Sequence, residues 1–318
     1  MEDKKKSRSR HAEMEQRLRE SEEKYRLLFE SAYDGIFLLD RFTVVDCNRR
    51  AATMFGCSRE EMLGTSVERF IPPVQADGRF TKDILSEKGN RVLEGEPELF
   101  EVALNRCDGT AFEVEMSLNY VTLHGRKMVQ SIVRDISERK KMEAWLRYIN
   151  MHDKPTGLYN RNYFEEEMQR LQSGRFDPVG IVVCDVDGLK LVNDNLGHEA
   201  GDHLLAAAAR VLVKCFRDSD VVARIGGDEF AVLLPECGPQ VVESACQRIK
   251  ETLVDYRSSH PPIPISLSVG SAVKHDRTQS MWEVFKQADN RMYAAKPENR
   301  AKFKEIFATM VEVLRDEL

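Results

Sequence analysis

The pentapeptide Gly226-Gly227-Asp228-Glu229-Phe230 constrains this chain more than any other stretch of it. It separates two apolar, β-rich runs, Val221 to Ile225 and Phe230 to Leu234. A Gly-Gly pair in that setting predicts a tight hairpin, because both central positions of a type I′ turn need φ > 0. Two carboxylates follow at once, so the tip of a stiff hairpin carries paired negative charge, and such a tip suits a divalent cation. For five residues alone, a solvated acidic turn is the better reading. A second carboxylate pair at the end of another strand shifts the balance.

That pair is Asp185 and Asp187. The run Val179 to Cys184 is short, apolar and rich in β-branched residues, which predicts a buried central strand with Asp185 emerging at its end. A lone strand-end Asp is usually a helix cap or a turn former. Here a lysine, amides, glycines, a histidine and another acid crowd the stretch from Gly188 to Asp202, before a helix expected from Leu204 to Phe216. That density exceeds what a structural turn requires.

At these residues the chain resembles the GGDEF family of diguanylate cyclases. The likeness runs from about Asp153 to Arg300 in several separate parts. Asp153 to Arg161 is similar to the segment that opens these domains, and Asp185 to Asp202 to their metal- and guanine-binding segment. Gly226 to Phe230 is similar to the signature hairpin, and Tyr293-Ala294-Ala295-Lys296 with Arg300 to the closing phosphate-binding helix. The resemblance implies a ferredoxin-like sheet with helices on one face, related to the palm of polymerases and adenylate cyclases. The pattern agrees: strand 179–185, helix 203–216, hairpin 221–234, a helix from about Pro239 to Tyr256, a strand near Ile265 to Val273 and a helix from Met281 to Ala295.

The resemblance implies that two GTP molecules become cyclic di-GMP and two pyrophosphates, each 3′-hydroxyl attacking the other nucleotide's α-phosphate. Two Mg²⁺ ions per site, or Mn²⁺ in their place, suit that chemistry and its oxygen ligands. Asp185, Asp228, Glu229 and the Val186 carbonyl are the implied metal ligands, and either turn acid is equally open to the role of base. Lys190 is expected to stabilise phosphate charge. Asn193 and Asp202 resemble the pair that reads guanine, Asp202 also being placed to cap a helix. His198 is expected near ribose or base; a zinc site there lacks neighbouring ligands at the right spacing. Lys296 and Arg300, four apart, share a helical face toward triphosphate. Two residues depart from the family pattern here, Pro297 after Lys296 and Asn299 in place of Gly, and Pro155 is a third departure. Arg217 and Asp220, just ahead of the hairpin, resemble the product-inhibition site, with Arg248 as a second arm.

The first half reads as a separate α/β sensor. Gly35 to Asp40 and Thr43 to Asp46 are strand-like, and a helix opens at Cys47-Asn48. Phe100, Val102 and Leu104 alternate, as do Phe112 to Tyr120, with Cys107-Asp108-Gly109-Thr110 as the turn between them. A last strand, Lys127 to Val133, leads to Asp135-Ile136. Tyr25 to Asp40, the Asn48 helix start, Phe55-Gly56 with Glu60 to Gly64, and the Asp135-Ile136 ending resemble a PAS domain. Its ligand is not legible. Haem is disfavoured because no His lies between His11 and His124, and Cys47, Cys57 and Cys107 read as packing residues.

The organisation expected is α+β: an N-terminal helix (1–21), a PAS domain with an antiparallel sheet (22–136), a helical linker (137–152) and a cyclase domain (153–318). Seven cysteines without paired spacing point to a reducing, cytoplasmic setting. No apolar run is long enough to span a bilayer, and a net charge of −6 disfavours nucleic acid as the main partner. Met14, Leu18, Tyr25 and Leu28, with Met142, Trp145 and Ile149, form apolar seams. They read either as faces packed on their own domain or, preferably, as a homodimer coil, since the reaction needs two sites face to face. The rival to an enzyme is a receptor for GTP or cyclic di-GMP. A phosphodiesterase would need a further domain, for which no residues remain, and Asp202 argues against a mixed guanine–adenine product.

Overall fold

A long helix, α1 (Glu2–Glu30), leads into the sheet of the first of two units, Met1–Ala144 and Trp145–Leu318. The structure, a computed structural model, describes residues 2–123, 125–259 and 264–316. In the first unit β1 (Gly35–Asp40) and β2 (Thr43–Cys47) form a hairpin. Then come α2 (Arg49–Phe55), the single turn α3 (Arg59–Met62), α4 (Thr81–Leu93), and three strands, β3 (Glu98–Asn105), β4 (Ala111–Leu123) and β5 (Arg126–Asp135). The order is β2-β1-β5-β4-β3, antiparallel throughout. Alternation in β4 turns Phe112, Val114, Met116 and Leu118 inward, where they meet Phe37, Phe55 and Phe70.

Asn48 holds this unit's entry together. It caps α2 through its Oδ1, which accepts from the N–H groups of Ala51 and Ile36 at 2.9 and 3.0 Å. Its Nδ2 donates to the carbonyls of Phe29 and Asp34. One buried amide, fully used, thereby ties the end of α1 to the sheet. The cysteines depart from the sequence reading. Cys57 and Cys107, both expected as packing residues, form a disulfide with Cα atoms 6.0 Å apart. They are 50 positions apart in the chain. The β3–β4 turn folds back so that the Cys107 N–H donates to the Phe55 carbonyl at 2.8 Å, a contact that spacing cannot reveal.

Helix α5 (Ser137–Met151) follows, and its first N–H donates to Asp135 Oδ1 at 2.9 Å. Met142, Trp145 and Ile149 on it are exposed, as are Met14, Leu18, Tyr25 and Leu28 on α1, so neither seam is packed on its own unit.

The second unit begins with β6 (Tyr159–Asn160), α6 (Arg161–Leu171) and β7 (Val179–Val186). Two helices, α7 (Leu189–Leu196) and α8 (His198–Cys215), precede the β8 (Val221–Arg224) and β9 (Glu229–Leu234) hairpin. Helix α9 (Pro239–Ser259), β10 (Leu267–Lys274) and α10 (Met281–Asp316) complete it. The order is β10-β7-β9-β8-β6, with only the β6–β8 pair parallel.

Helices cover both faces of this sheet, not one. Val182, Cys184 and Val186 of β7 pack with α8 and α9, while Ile181 and Val183 pack with α6 and α10. All eight residues of β7 are buried, as its unbroken apolar run requires. The covering helix that the strand-and-helix pattern missed is α6, which buries Phe164, Met168 and Leu171. Three other elements differ from expectation. The polar stretch after β7 is itself the helix α7, and α8 starts at His198 rather than near Leu204. Helix α10 does not end near Ala295 but runs on through Pro297. An interior proline costs about 3 kcal/mol. Burial of Phe303 and Phe307 beyond it, each a full aromatic side chain of about 1.5–3 kcal/mol, offsets that cost.

Candidate active site

Strand β7 carries Asp185 to a fully buried position at its C-terminal end. Ladder pairing sets it opposite Glu229 on β9 and opposite Ser268 on β10. The next residue, Val186, donates its N–H to the Asp228 carbonyl at 2.8 Å. Four of the expected groups, Asp185, Val186, Asp228 and Glu229, are thus gathered by two adjacent strands. Asp185 Oδ2 accepts from Lys296 Nζ at 2.5 Å, whereas Oδ1 is buried with no hydrogen-bond partner. Burial pushes the Asp185 carboxyl up to about 6; the Lys296 contact opposes the shift and the Asp228 charge adds to it. Burial works against the Lys296 ammonium too, but its bond to Asp185 leaves it raised.

The hairpin tip is not the predicted type I′ turn, because neither Gly226 nor Gly227 has a left-handed φ. The N–H groups of Ile225 and Gly226 both reach the Glu229 carbonyl, at 2.9 and 3.3 Å, so the loop is longer than two residues. That length lets the chain reverse without mirror-image dihedrals. A Cβ on Gly226 would lie 2.6 Å from Glu229 Oε2, so a larger residue there would push the Glu229 carboxylate aside.

After β7 the chain turns at Gly188, whose φ of 78° is left-handed and over which the Phe303 ring lies so closely that a Cβ would collide with it. Lys190, on α7, is exposed. Asn193 faces Gly201, and its buried Oδ1 has no partner. His198 and Asp202 lie one turn apart on α8, both exposed. Asp202 is inside the helix, so the capping alternative does not hold. Asp187 accepts from Ser266 and Ser268 at 2.7 and 2.8 Å, and Asn299 donates to Ser268 Oγ at 3.2 Å. Asn299, a departure in the sequence, therefore joins α10 to the β7–β10 pair. Arg300 is exposed one turn beyond Lys296.

With this geometry the comparisons are decisive for the family. Residues 150–302 match the family model described as diguanylate cyclase, GGDEF domain, and residues 34–138 match that of a PAS domain. The chain is a PAS–GGDEF protein. Among curated proteins it is similar to diguanylate cyclase DgcM of Escherichia coli (strain K12), 30% identical over 279 residues covering 86% of this chain and 64% of DgcM. It is also similar to cyclic di-GMP phosphodiesterase PdeR of the same organism, 29% identical over 280 residues covering 86% of this chain and 41% of PdeR. Among solved structures, the coiled coil and GGDEF domain of DgcB from Caulobacter crescentus in complex with c-di-GMP is 26% identical, with a TM-score of 0.47 over 52% of this chain and 90% of that one. The PAS–GGDEF chain spans less than two thirds of the length of these curated relatives.

Within the GGDEF domain, Arg224 is the residue that sequence reasoning missed. It donates to the carbonyls of Gly226 and Gly227 at 3.2 and 2.7 Å and to Asp153 Oδ1 at 3.1 Å. Asp153 in turn accepts from the Thr156 N–H and hydroxyl. The opening segment of the GGDEF domain thereby clamps the acidic hairpin. An arginine ending a strand just before a Gly-Gly tip, with an unexplained Asp upstream, was the available signal.

The residues compared with a product site share one corner of the GGDEF domain. Asp220 accepts from the Arg217 N–H at 3.0 Å, and Arg248 donates to the Cys215 carbonyl at 2.7 Å, capping α8. The Arg217 side chain is exposed. Among the described residues no group of three or more His, Cys, Asp or Glu side chains forms a metal cage. The donors present nonetheless fit Mg²⁺, which takes one or two carboxylates and completes its shell with water and phosphate. The orphaned Oδ1 of Asp185 is a buried carboxylate oxygen without a hydrogen-bond partner, the kind of donor that a cation would satisfy. Among the described residues no helix is long and apolar enough to cross a membrane.

Proposed function

We propose that this PAS–GGDEF chain is a diguanylate cyclase that condenses two GTP into cyclic di-GMP and two pyrophosphates. The observation that carries the proposal is the buried, half-unsatisfied Asp185 beside the Asp228–Glu229 turn. Asp185, Asp228, Glu229 and the Val186 carbonyl would hold Mg²⁺, which when bound supplies charge neutralisation at the α-phosphate and the leaving pyrophosphate. Lys296 is poised to leave Asp185 for phosphate oxygens, since a lysine ammonium on a flexible stem changes partners readily. Arg300 and Lys190, free of side-chain partners among the described residues, are available for the same charge. Asp202 accepts from the N1–H and N2–H₂ donors of guanine, which adenine does not offer, and Asn193 and His198 flank it. The exposed seams of α1 and α5 support a homodimer, which brings two GTP-loaded sites together.

Incubating the purified chain with GTP and Mg²⁺ and weighing the products by mass spectrometry tests this reading. Cyclic di-GMP with two equivalents of pyrophosphate is expected. Tight binding of GTP or cyclic di-GMP without turnover would replace the enzyme with a receptor. In the same assay Arg217→Ala is expected to keep its initial rate while losing inhibition by added cyclic di-GMP. An unchanged inhibition curve would remove Arg217 from the product site.

A further inference from the structure

The core of the PAS domain is not filled. A cavity of about 90 Å³ lies between the sheet and α4, walled by apolar side chains that include Phe37, Phe55, Phe70, Leu104 and Leu118. Ser131 and Arg41 are its only polar lining residues among those described. An apolar hollow of this kind stays dry or takes up an apolar group. It is not sealed. Arg41, Phe42, Gly89 and Val129 also line an adjoining cleft of about 580 Å³, whose other lining residues include Arg126 and Lys127. Three cations face one acid, Asp40, in that cleft. Arg41 sits at the β1–β2 turn with φ of 55°, a left-handed conformation costly for a residue with a side chain and often kept at ligand clamps.

A greasy interior opening onto a cationic mouth is complementary to one class of molecule. We propose that the cavity and cleft form a single binding site for a small anionic amphiphile, a medium-chain carboxylic acid in kind. Its hydrocarbon end fills the hollow and its carboxylate meets Arg41, Arg126 and Lys127. The hydrocarbon gains from leaving water, and the guanidinium–carboxylate contacts select the head group. Gly89 is the gate between the two spaces. A Cβ built on it meets nothing within 4 Å, and its φ is not left-handed, so a larger residue there fits the helix and projects into open space.

Calorimetric titration of the full chain, without nucleotide, with octanoate, octanol and octylamine tests the proposal. Octanoate is expected to saturate at one per chain, with the alcohol and the amine at least about tenfold weaker, the effect of one good charged hydrogen bond. Gly89→Leu should lose octanoate binding while keeping its thermal midpoint, since leucine favours a helix over glycine. Arg41→Gln combined with Arg126→Gln should reduce octanoate to the level of octanol and leave octanol unchanged. Absence of saturable octanoate binding, equal affinity for acid and alcohol, or undiminished binding by Gly89→Leu would each overturn it. Because the readout is heat of binding, the result does not depend on whether the GGDEF domain proves to be a cyclase.

Discussion

Asp185→Asn should abolish cyclic di-GMP formation, lowering turnover by at least about a thousandfold, about 4 kcal/mol of transition-state stabilisation. The substitution keeps the shape of the side chain and removes the buried anion that Mg²⁺ is expected to require. The fold should not suffer in return. Burial is the largest influence on this carboxyl and raises it to about 6, so the charged form is a net burden to the metal-free folded state. The sign follows from linkage. A folded-state value above the unfolded one gives a contribution that is complete below the unfolded value near 3.8 and is lost as pH rises through about 6. Above that pH, Asp185→Asn without metal should melt no lower than the native chain. Apparent Mg²⁺ affinity of the native chain should fall as pH drops below about 6, because proton and metal compete for one carboxylate. An Asn variant that still cyclises GTP at an appreciable rate would overturn the metal assignment.

Gly270→Ala should be the most damaging small substitution in the GGDEF domain. Strand β10 and helix α10 approach so closely that a Cβ at Gly270 would lie 2.2 Å from the Met292 nitrogen and 2.3 Å from the Ala288 carbonyl oxygen. Both obstacles are backbone, so no rotamer change relieves them. Overpacking of a well-filled core typically costs about 1–3 kcal/mol, and a clash with fixed backbone belongs at or above the top of that range. Its functional consequence is specific. Helix α10 carries Lys296 to Asp185, and β10 pairs with β7 through Ser268 opposite Asp185. Displacing α10 should therefore raise the KM for GTP in whatever fraction remains folded. Chemical denaturation compared with Gly227→Ala, where a Cβ meets nothing within 4 Å, isolates the packing effect. Equal stability of the two variants would contradict it.

Much of the architecture was legible because period and burial are local properties. The β7 run, the β8–β9 hairpin and the alternating β3–β4 pair lie where apolar patterning puts them. Helix α7 was not legible, since its asparagines and Asp194 read as loop, and what holds it as a helix is Val192, buried in the core, with Leu189 and Leu191 packed partly against the same core. The continuation of α10 past Pro297 was hidden for a similar reason. A proline argues locally for termination, while Phe303 and Phe307 find their partners across the domain. The turn type failed on loop length, which two glycines do not specify. Arg224 and the Cys57–Cys107 pair were missed because their partners, Asp153 and the folded-back β3–β4 turn, are distant in the chain.

The order of residues alone settled which chemical groups this protein possesses: carboxylates at a strand end and a hairpin tip, a lysine and an arginine four apart, and an apolar sensor sheet ahead of them. It could do so because side-chain identity and short-range periodicity are written directly in the chain. Tertiary structure decided what those groups are able to do. Only folding removes water from Asp185, brings Lys296 onto it from 111 positions away, and leaves one oxygen without a partner. Desolvation and convergence belong to packed elements, because they depend on which distant surfaces meet.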